Sequence, residues 1–243
     1  MSQPVTLCFD FGNTRLKCAV FEGDELRHVD VLPDASADTI SKLLKQTKAT
    51  YSILSSVINH DYQVEINLKL ATNFHLLNHQ SKLPITTPVG KPETIGADRL
   101  ALVSAATLLF PQQHNLVIGL GSCITYNFVN CFHEFIGGSI SPGMEMRFKA
   151  MHQFTAKLPL VKADGNFPLI GYDTNTNMLS GVIVGVAAEI DGIVQRYAEK
   201  YSNFNVLLTG GDMPFFVPHI KSKIFADPYL MYKGLYAISK NNR

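Results

Sequence analysis

Four short segments of this sequence carry residue types suited to phosphate chemistry. The run Asp10-Phe11-Gly12-Asn13-Thr14-Arg15-Leu16-Lys17 sets a carboxylate at the end of an apolar stretch, then a small polar turn, then a lysine. Backbone N–H groups and hydroxyls in such a turn can face phosphate oxygens, and the carboxylate can hold Mg²⁺, usually through water. The same residues also make an ordinary hairpin turn. Gly96-Ala97-Asp98-Arg99 precedes a long apolar helix. Asp98 is suited to take a proton from a substrate hydroxyl while Arg99 fixes an anionic group, and equally suited to the first turn of a helix. A carboxylate is a sensible base for phosphoryl transfer, where positioning matters more than base strength. In Leu208-Thr209-Gly210-Gly211-Asp212 the paired glycines let a backbone approach a flat ligand such as adenine, or simply turn a strand into a helix. Gly137-Gly138-Ser139-Ile140-Ser141-Pro142-Gly143 is a similar tight passage of small residues.

Other patterns carry less. Gly119-x-Gly121 lacks the third glycine of a dinucleotide fingerprint, since position 124 is Ile, and the sequence has neither a Walker A run nor HExxH. His75 and His79 have the i, i+4 spacing of a metal pair, without an implied carboxylate or cysteine partner.

The elements that must position these residues come in two similar series. Val5 to Phe9 and Leu16 to Phe21 read as strands around a turn, with Glu25 to Leu32 as a third antiparallel strand. A helix over Asp38 to Gln46, a strand over Tyr51 to Val57, a helix over Tyr62 to Ala71 and a short strand over Phe74 to Leu77 follow. A Pro-rich connection then leads to a helix from Ala97 to Phe110. The second series opens in the same way: Leu116 to Ile118, a turn at Gly119-Leu120-Gly121-Ser122, a strand over Ile124 to Val129 and another over Phe132 to Ile140. Helices are expected over Pro142 to Phe154, Asn177 to Tyr201 and Tyr229 to Lys240, with a strand over Val206 to Thr209. Phe9 to Asn13 aligns with Ile118 to Ser122 at an offset of 109 residues, so the chain reads as two α/β lobes, 1–112 and 113–243, with a cleft between them.

Composition narrows the classes of function. The 243 residues can bury a sizeable core, and 17 Gly and 12 Pro exclude collagen-like and low-complexity readings. A net charge of +1 and no basic stripe argue against a nucleic-acid partner. A charged fraction of 17%, low for a domain, leaves surface for a partner subunit. Leu100 to Phe110 is too short to cross a membrane, and Glu189 and Asp191 interrupt Val182 to Val194; a span needs about 20 apolar residues. With no signal-peptide pattern and no CxxC pair among Cys8, Cys18, Cys123 and Cys131, the expectation is a cytoplasmic protein with reduced, mostly buried thiols.

Six motifs in order, DFGNTRLK at 10–17, PETIGADR at 92–99, GLGSCITYNFV at 119–129, GGSISPG at 137–143, GYDT at 171–174 and LTGGD at 208–212, resemble those of type III pantothenate kinases. The resemblance runs over effectively the whole chain. It implies the actin-like ATPase and sugar-kinase (ribonuclease H-like) fold and ATP-dependent phosphorylation of pantothenate to 4′-phosphopantothenate, the first step of coenzyme A synthesis. It also implies Mg²⁺, a monovalent cation (K⁺ or NH₄⁺) and a homodimer. By the same resemblance, residues 10 to 17 form the first phosphate loop, with Asp10 holding Mg²⁺ through water, and Ser122 sits in a second loop. Gly96, Ala97, Asp98 and Arg99 bind pantothenate, with Asp98 as base and Arg99 facing the carboxylate. Thr174 reaches the substrate across the dimer interface, and Gly210 and Gly211 flank the adenosine.

Three positions depart from the family's pattern. Gly119 stands where an aspartate usually binds the monovalent cation, Ser122 replaces a threonine, and Val89 replaces a substrate-contacting tyrosine. The internal repeat points to the first of these independently, because Gly119 matches Asp10. The expectation is an active kinase with a weakened or altered K⁺ requirement. The alternatives are a kinase for a related small hydroxy acid and a catalytically weakened copy kept as a binding or regulatory protein.

Overall fold

The computed structural model describes residues 3–88 and 90–243, so the departure at Val89 lies outside the described residues. The first sheet begins as an antiparallel meander of β1 (Val5–Phe11), β2 (Leu16–Glu22) and β3 (Glu25–Leu32). After α1 (Ala37–Thr47), β4 (Tyr51–Ser56) returns parallel to β1, and after α2 (Tyr62–Ala71), β5 (Asn73–Leu76) adds beside it in the order β3-β2-β1-β4-β5. Then comes α3 (Ala97–Leu109), and the plan repeats. The meander is β6 (His114–Leu120), β7 (Cys123–Val129) and β8 (Phe135–Pro142). Helices α4 (Met144–Phe154) and α5 (Thr174–Ala198) follow, and then β9 (Phe204–Thr209) pairs parallel to β6. Short α6 (Met213–Phe216), the two-residue β10 (Phe225–Ala226) and α7 (Leu230–Asn241) complete the chain. The second order, β8-β7-β6-β9-β10, matches the first strand for strand.

The alternation of β1 decides where its chemistry points. Leu7, Phe9 and Phe11 are fully buried in one core with Ile40, Val64 and Leu68 of α1 and α2. Cys8 is fully buried in another core with Ala97 and Ala101 of α3 and with Tyr232, Leu235 and Ile238 of α7. With a side-chain period of two, Asp10 falls on the Cys8 face, toward α3.

Several boundaries differ from those read in the sequence, each for a local reason. Helix α5 starts at Thr174 rather than at 177, because Asp173 accepts the Thr176 N–H while the Thr176 hydroxyl accepts the Asp173 N–H. That is a capping box in which threonine replaces the usual Glu or Gln. Helix α4 starts at Met144, because Pro142 ends β8 and Gly143 is the extended cap. Phe132 is an exposed turn residue, since the Asn130 side chain accepts the N–H groups of Phe132 and Glu134. Strand β10 is too short to leave a pattern. At 25 residues α5 is long and apolar enough, by length and composition, to cross a membrane, which the interrupted apolar run did not suggest. Here Met178, Val182, Ile183, Val186 and Ile190 bury one face in the core against β6, β7 and β9. Cys8 and Cys18 are buried, Cys123 and Cys131 are partly exposed, and all four are free thiols.

Two compact units result, one reaching from the N-terminal strands to Leu109 and including Tyr229–Arg243, the other Phe110–Pro228. The closing helix α7 thus belongs with the first unit, whereas the sequence reading placed all of 113–243 together. Its packing on α3 is close enough that a Cβ at Gly234 would lie 2.1 Å from the Ala101 carbonyl oxygen. A backbone atom cannot swing aside as a side chain does, so a larger residue must push the two helices apart.

Gly234→Ala gains about 1 kcal/mol of helix propensity, yet overpacking of a tight interior costs about 1–3 kcal/mol. The variant is expected to melt below the parent in a thermal scan. An unchanged or raised midpoint would show that α3 and α7 separate freely.

Candidate active site

In the first unit, the parallel pairing of β1 with β4 brings both strands to a common carboxyl end, the edge where open α/β sheets bind ligands. Asp10 is the penultimate residue of β1, in register with Lys17 on β2 and Ser55 on β4. The turn between β1 and β2 is closed by the Gly12 N–H donating to the Arg15 carbonyl at 3.2 Å. Asn13, Thr14 and Arg15 are exposed, while Gly12, Leu16 and Lys17 are partly buried and Phe11 is buried.

Asp98 is the second residue of α3, whose first turn is closed by the Gly96 carbonyl accepting from the N–H groups of Arg99 and Leu100. Its carboxylate folds back over the helix start, and a Cβ at Gly96 would meet Asp98 Oδ1 at 2.5 Å. Glycine at 96 therefore makes room for the acid itself. Burial raises the Asp98 pKa above its ordinary value, opposed by the backbone N–H and the charge of Arg99. Asp10 is pushed up to about 6, first by burial and then by the charge of Asp98, with Lys17 pulling the other way. The structure thus brings the segment from Asp10 to Lys17 and the Gly96–Arg99 segment together, close enough for the charge of Asp98 to raise the Asp10 pKa.

This pair also answers whether a divalent cation fits. Two partly buried carboxylates, both raised by burial and one also by the charge of the other, are relieved by a cation, and a site with one or two protein carboxylates suits Mg²⁺, which keeps its waters and takes phosphate oxygens. Among the described residues no cluster of three or more His, Cys, Asp or Glu could hold a metal by itself. His75 bonds the Ser81 hydroxyl through Nε2 at 2.7 Å.

The second unit gathers a matching set at the ends of β6 and β9. Gly119 lies in register with Thr125 and Thr209, the places that Lys17 and Ser55 hold around Asp10. Ser122 is partly buried in the β6–β7 loop. Gly210, with φ +113°, brings its backbone so close that a Cβ would lie 2.1 Å from the Leu120 carbonyl oxygen, which also accepts the Asp212 N–H at 3.2 Å. Gly211 beside it is exposed. Ser122, Gly210 and Gly211 therefore belong to one junction. Thr174 is exposed at the start of α5 and lines a groove of about 590 Å³ with Arg147, Met151, Leu158 and Asn177.

One cluster escaped the sequence reading. Glu189, met there only as a break in an apolar run, accepts the Tyr126 hydroxyl at 2.9 Å, the Ser141 hydroxyl at 2.6 Å and the Arg147 guanidinium. Its donors come from three different elements, so no local spacing announces them.

Comparison with known proteins agrees with the geometry. Residues 6–196 match the family model described as type III pantothenate kinase. A type III pantothenate kinase of Bacteroides fragilis is 40% identical over 239 residues, covering 98% of each chain. Among solved structures, a conserved protein from Campylobacter jejuni described as a Baf family transcriptional activator superposes with a TM-score of 0.60 at 21% identity, over 97% of this chain and 98% of that one. A glucokinase from an Antarctic psychrotroph superposes with a TM-score of 0.53 at 11% identity, over 98% and 99%. These two likenesses establish the fold, that of the actin-like ATPases and sugar kinases. With a family model across most of its length and a relative at 40% identity end to end, the chain belongs to the type III pantothenate kinases.

Proposed function

We propose that this chain phosphorylates pantothenate with ATP, giving 4′-phosphopantothenate for coenzyme A synthesis, and that Asp98 is the general base. The observation that carries the assignment is the carboxylate of Asp98 seated over Gly96 at the start of α3, with Arg99 beside it. The substrate hydroxyl attacks the γ-phosphorus as its proton passes to Asp98 and the bond to the β-phosphate oxygen breaks, releasing ADP. Burial brings the Asp98 pKa nearer to neutrality, where a base accepts a proton more readily. Arg99 supplies the cation for the pantothenate carboxylate. The turn from Phe11 to Lys17 and the loop at Ser122 bear on the phosphates, and Gly210 and Gly211 on the adenosine.

Asp10, with the charge of Asp98 near it, would hold a hydrated Mg²⁺. When bound, that ion neutralises the phosphate oxygens and orients them.

Thr174 supports the reading as a homodimer. Its groove opens beside exposed Phe154, Leu169, Ile170 and Tyr172, each at least 73% accessible, an apolar surface that a second copy would cover. A partner's Thr174 would then reach the substrate.

Asp98→Asn keeps the shape and removes the base. It is expected to lower kcat on the order of 10²–10⁴-fold while nucleotide affinity in calorimetry stays near that of the parent. Near-normal turnover would reject Asp98. Gly96→Ala is expected to displace the carboxylate and lower kcat without lowering the thermal midpoint.

Asp10 makes a second prediction. Its folded pKa of about 6 lies above the ordinary 3.8, so ionising it opposes folding. The penalty is absent below pH 4, grows as pH rises through 6 and amounts to about 3 kcal/mol above that. Metal-free Asp10→Asn should therefore melt above the parent at pH 8 and level with it near pH 4. Equal midpoints at pH 8 would show that the carboxylate is not confined.

Gly119 makes a third. With no carboxylate on β6 where β1 carries Asp10, turnover measured with and without K⁺ should depend on the ion only weakly. Strong K⁺ dependence, or no turnover at any concentration, would defeat that reading.

A further inference from the structure

The Glu189 cluster meets the groups just assigned in two ways: Arg147 lines the Thr174 groove, and the corner it grips touches the Ser122 loop through backbone. Arg147 donates from Nε to the Pro142 carbonyl at 2.8 Å and from a terminal nitrogen to the Ser141 hydroxyl at 3.3 Å, besides its pair with Glu189. Glu189 and Arg147 are both about one quarter exposed. Glu189 stays ionised at neutral pH, because its three donors outweigh the desolvation that would raise its pKa. The corner between β8 and α4 is thereby tied to α5 by side chains on both sides of the Pro142 carbonyl.

The next residue, Gly143, transmits this to the loop. Its N–H donates to the Ser122 carbonyl at 3.1 Å, and a Cβ there would lie 2.2 Å from the Gly121 oxygen and 2.7 Å from the Ser122 oxygen. On the other side the Leu120 carbonyl is held by the Asp212 N–H. Two carbonyls of the loop are therefore fixed, in the Leu120–Gly121 plane, whose N–H donates to the Cys123 carbonyl at 3.1 Å, and in the Ser122–Cys123 plane; the Gly121–Ser122 peptide between them, which carries the Ser122 N–H, is held at both ends.

We infer that Arg147 and Glu189 are positioning residues for the nucleotide, holding the β8–α4 corner so that Gly143 locks the peptide at Ser122 in its phosphate-facing orientation. The inference rests on the reading of the Ser122 loop as the second phosphate loop. Neither side chain touches the nucleotide; both act through the backbone from Pro142 to Gly143. A stability role alone would lower the melting temperature and leave substrate constants in place. A positioning role separates the two substrates.

The test compares Glu189→Gln, Arg147→Lys, the milder Ser141→Ala and Ser122→Asp in the full-length protein, reading KM for ATP, KM for pantothenate, kcat, ADP affinity by calorimetry and the melting midpoint. Glu189→Gln should raise KM for ATP on the order of tenfold, as expected for a small misplacement of binding groups, and weaken ADP binding in parallel. KM for pantothenate should not move in Glu189→Gln or Ser141→Ala, whereas Arg147→Lys, whose side chain also lines the Thr174 groove, is read on ADP affinity. Ser141→Ala should give a smaller change in the same direction, and it decides the matter if the charge variants do not fold. A lowered midpoint with unchanged ATP and ADP constants would overturn the inference. Ser122→Asp should abolish nucleotide binding by placing a negative charge in the loop. If Ser122→Asp is silent, the assignment of the loop itself is wrong and the inference falls with it. If Ser122→Asp abolishes binding while Glu189→Gln and Ser141→Ala do not weaken it, the loop assignment stands and the positioning role alone is refuted.

Discussion

Two carboxylates in one partly buried corner of the first unit set the terms for the rest of that unit. Asp10 and Asp98 each lose solvation, and the charge of one raises the pKa of the other. A fold selected for stability alone would place no pair of acids there. Their nearest relief within the chain is Lys17, one strand across from Asp10, and Arg99, one residue beyond Asp98. The surrounding structure has to hold the pair without letting either acid swing to water. It does so with a strand end whose alternation points Asp10 toward α3, and with a helix whose first turn folds Asp98 over a glycine. The apolar core of Cys8, Ala97, Ala101, Tyr232 and Leu235 beneath them makes both placements rigid.

The duplicated sheet repeats the strand plan without this pair of acids. Strand for strand the second unit repeats the first, and Gly119 has the same two neighbours in register that Asp10 has. Yet no carboxylate stands there, and the second unit's contribution is made of backbone. Its junction of Leu120, Gly121, Ser122, Gly143 and Gly210 is joined by N–H to carbonyl contacts too close for a Cβ at 143 or 210. One half of the duplication presents charge and the other presents peptide dipoles.

Much of this was legible beforehand because it is local. Alternation in Val5 to Phe11, glycine at 96 and the acid at 98 are features of neighbouring residues, and period and spacing recover them. The repeat at an offset of 109 was legible for the same reason, since both copies preserve a strand, a small-residue turn and a strand. The sequence lost what depends on distant partners. Helix α7 joins the first unit although it follows the 119 residues of the second (110–228), and its packing on α3 and in the core around Cys8 decides that. The capping box before Thr174 was missed because threonine stands in for the expected acid. Glu189 reads as an interruption because hydropathy does not distinguish a partly buried, triply bonded carboxylate from a solvated one.

That carboxylate bears on how the second unit is built. The 25-residue α5 meets its own unit through two carboxylates, Glu189 on Tyr126, Ser141 and Arg147, and Asp191 on the N–H groups of Lys221 and Ser222 and the Ser222 hydroxyl, and together they fix the helix in rotation and in height. Apolar contacts along the rest of the helix are tolerant of small slides; three directed hydrogen bonds are not. The polar cluster therefore contributes less to how strongly α5 is held than to where it is held. Since Arg147 also grips the Pro142 carbonyl, the height of the helix is read out at the corner that presses on Gly121 and Ser122. Glu189 is thus the anchor of the longest helix that also bears on the β8–α4 corner.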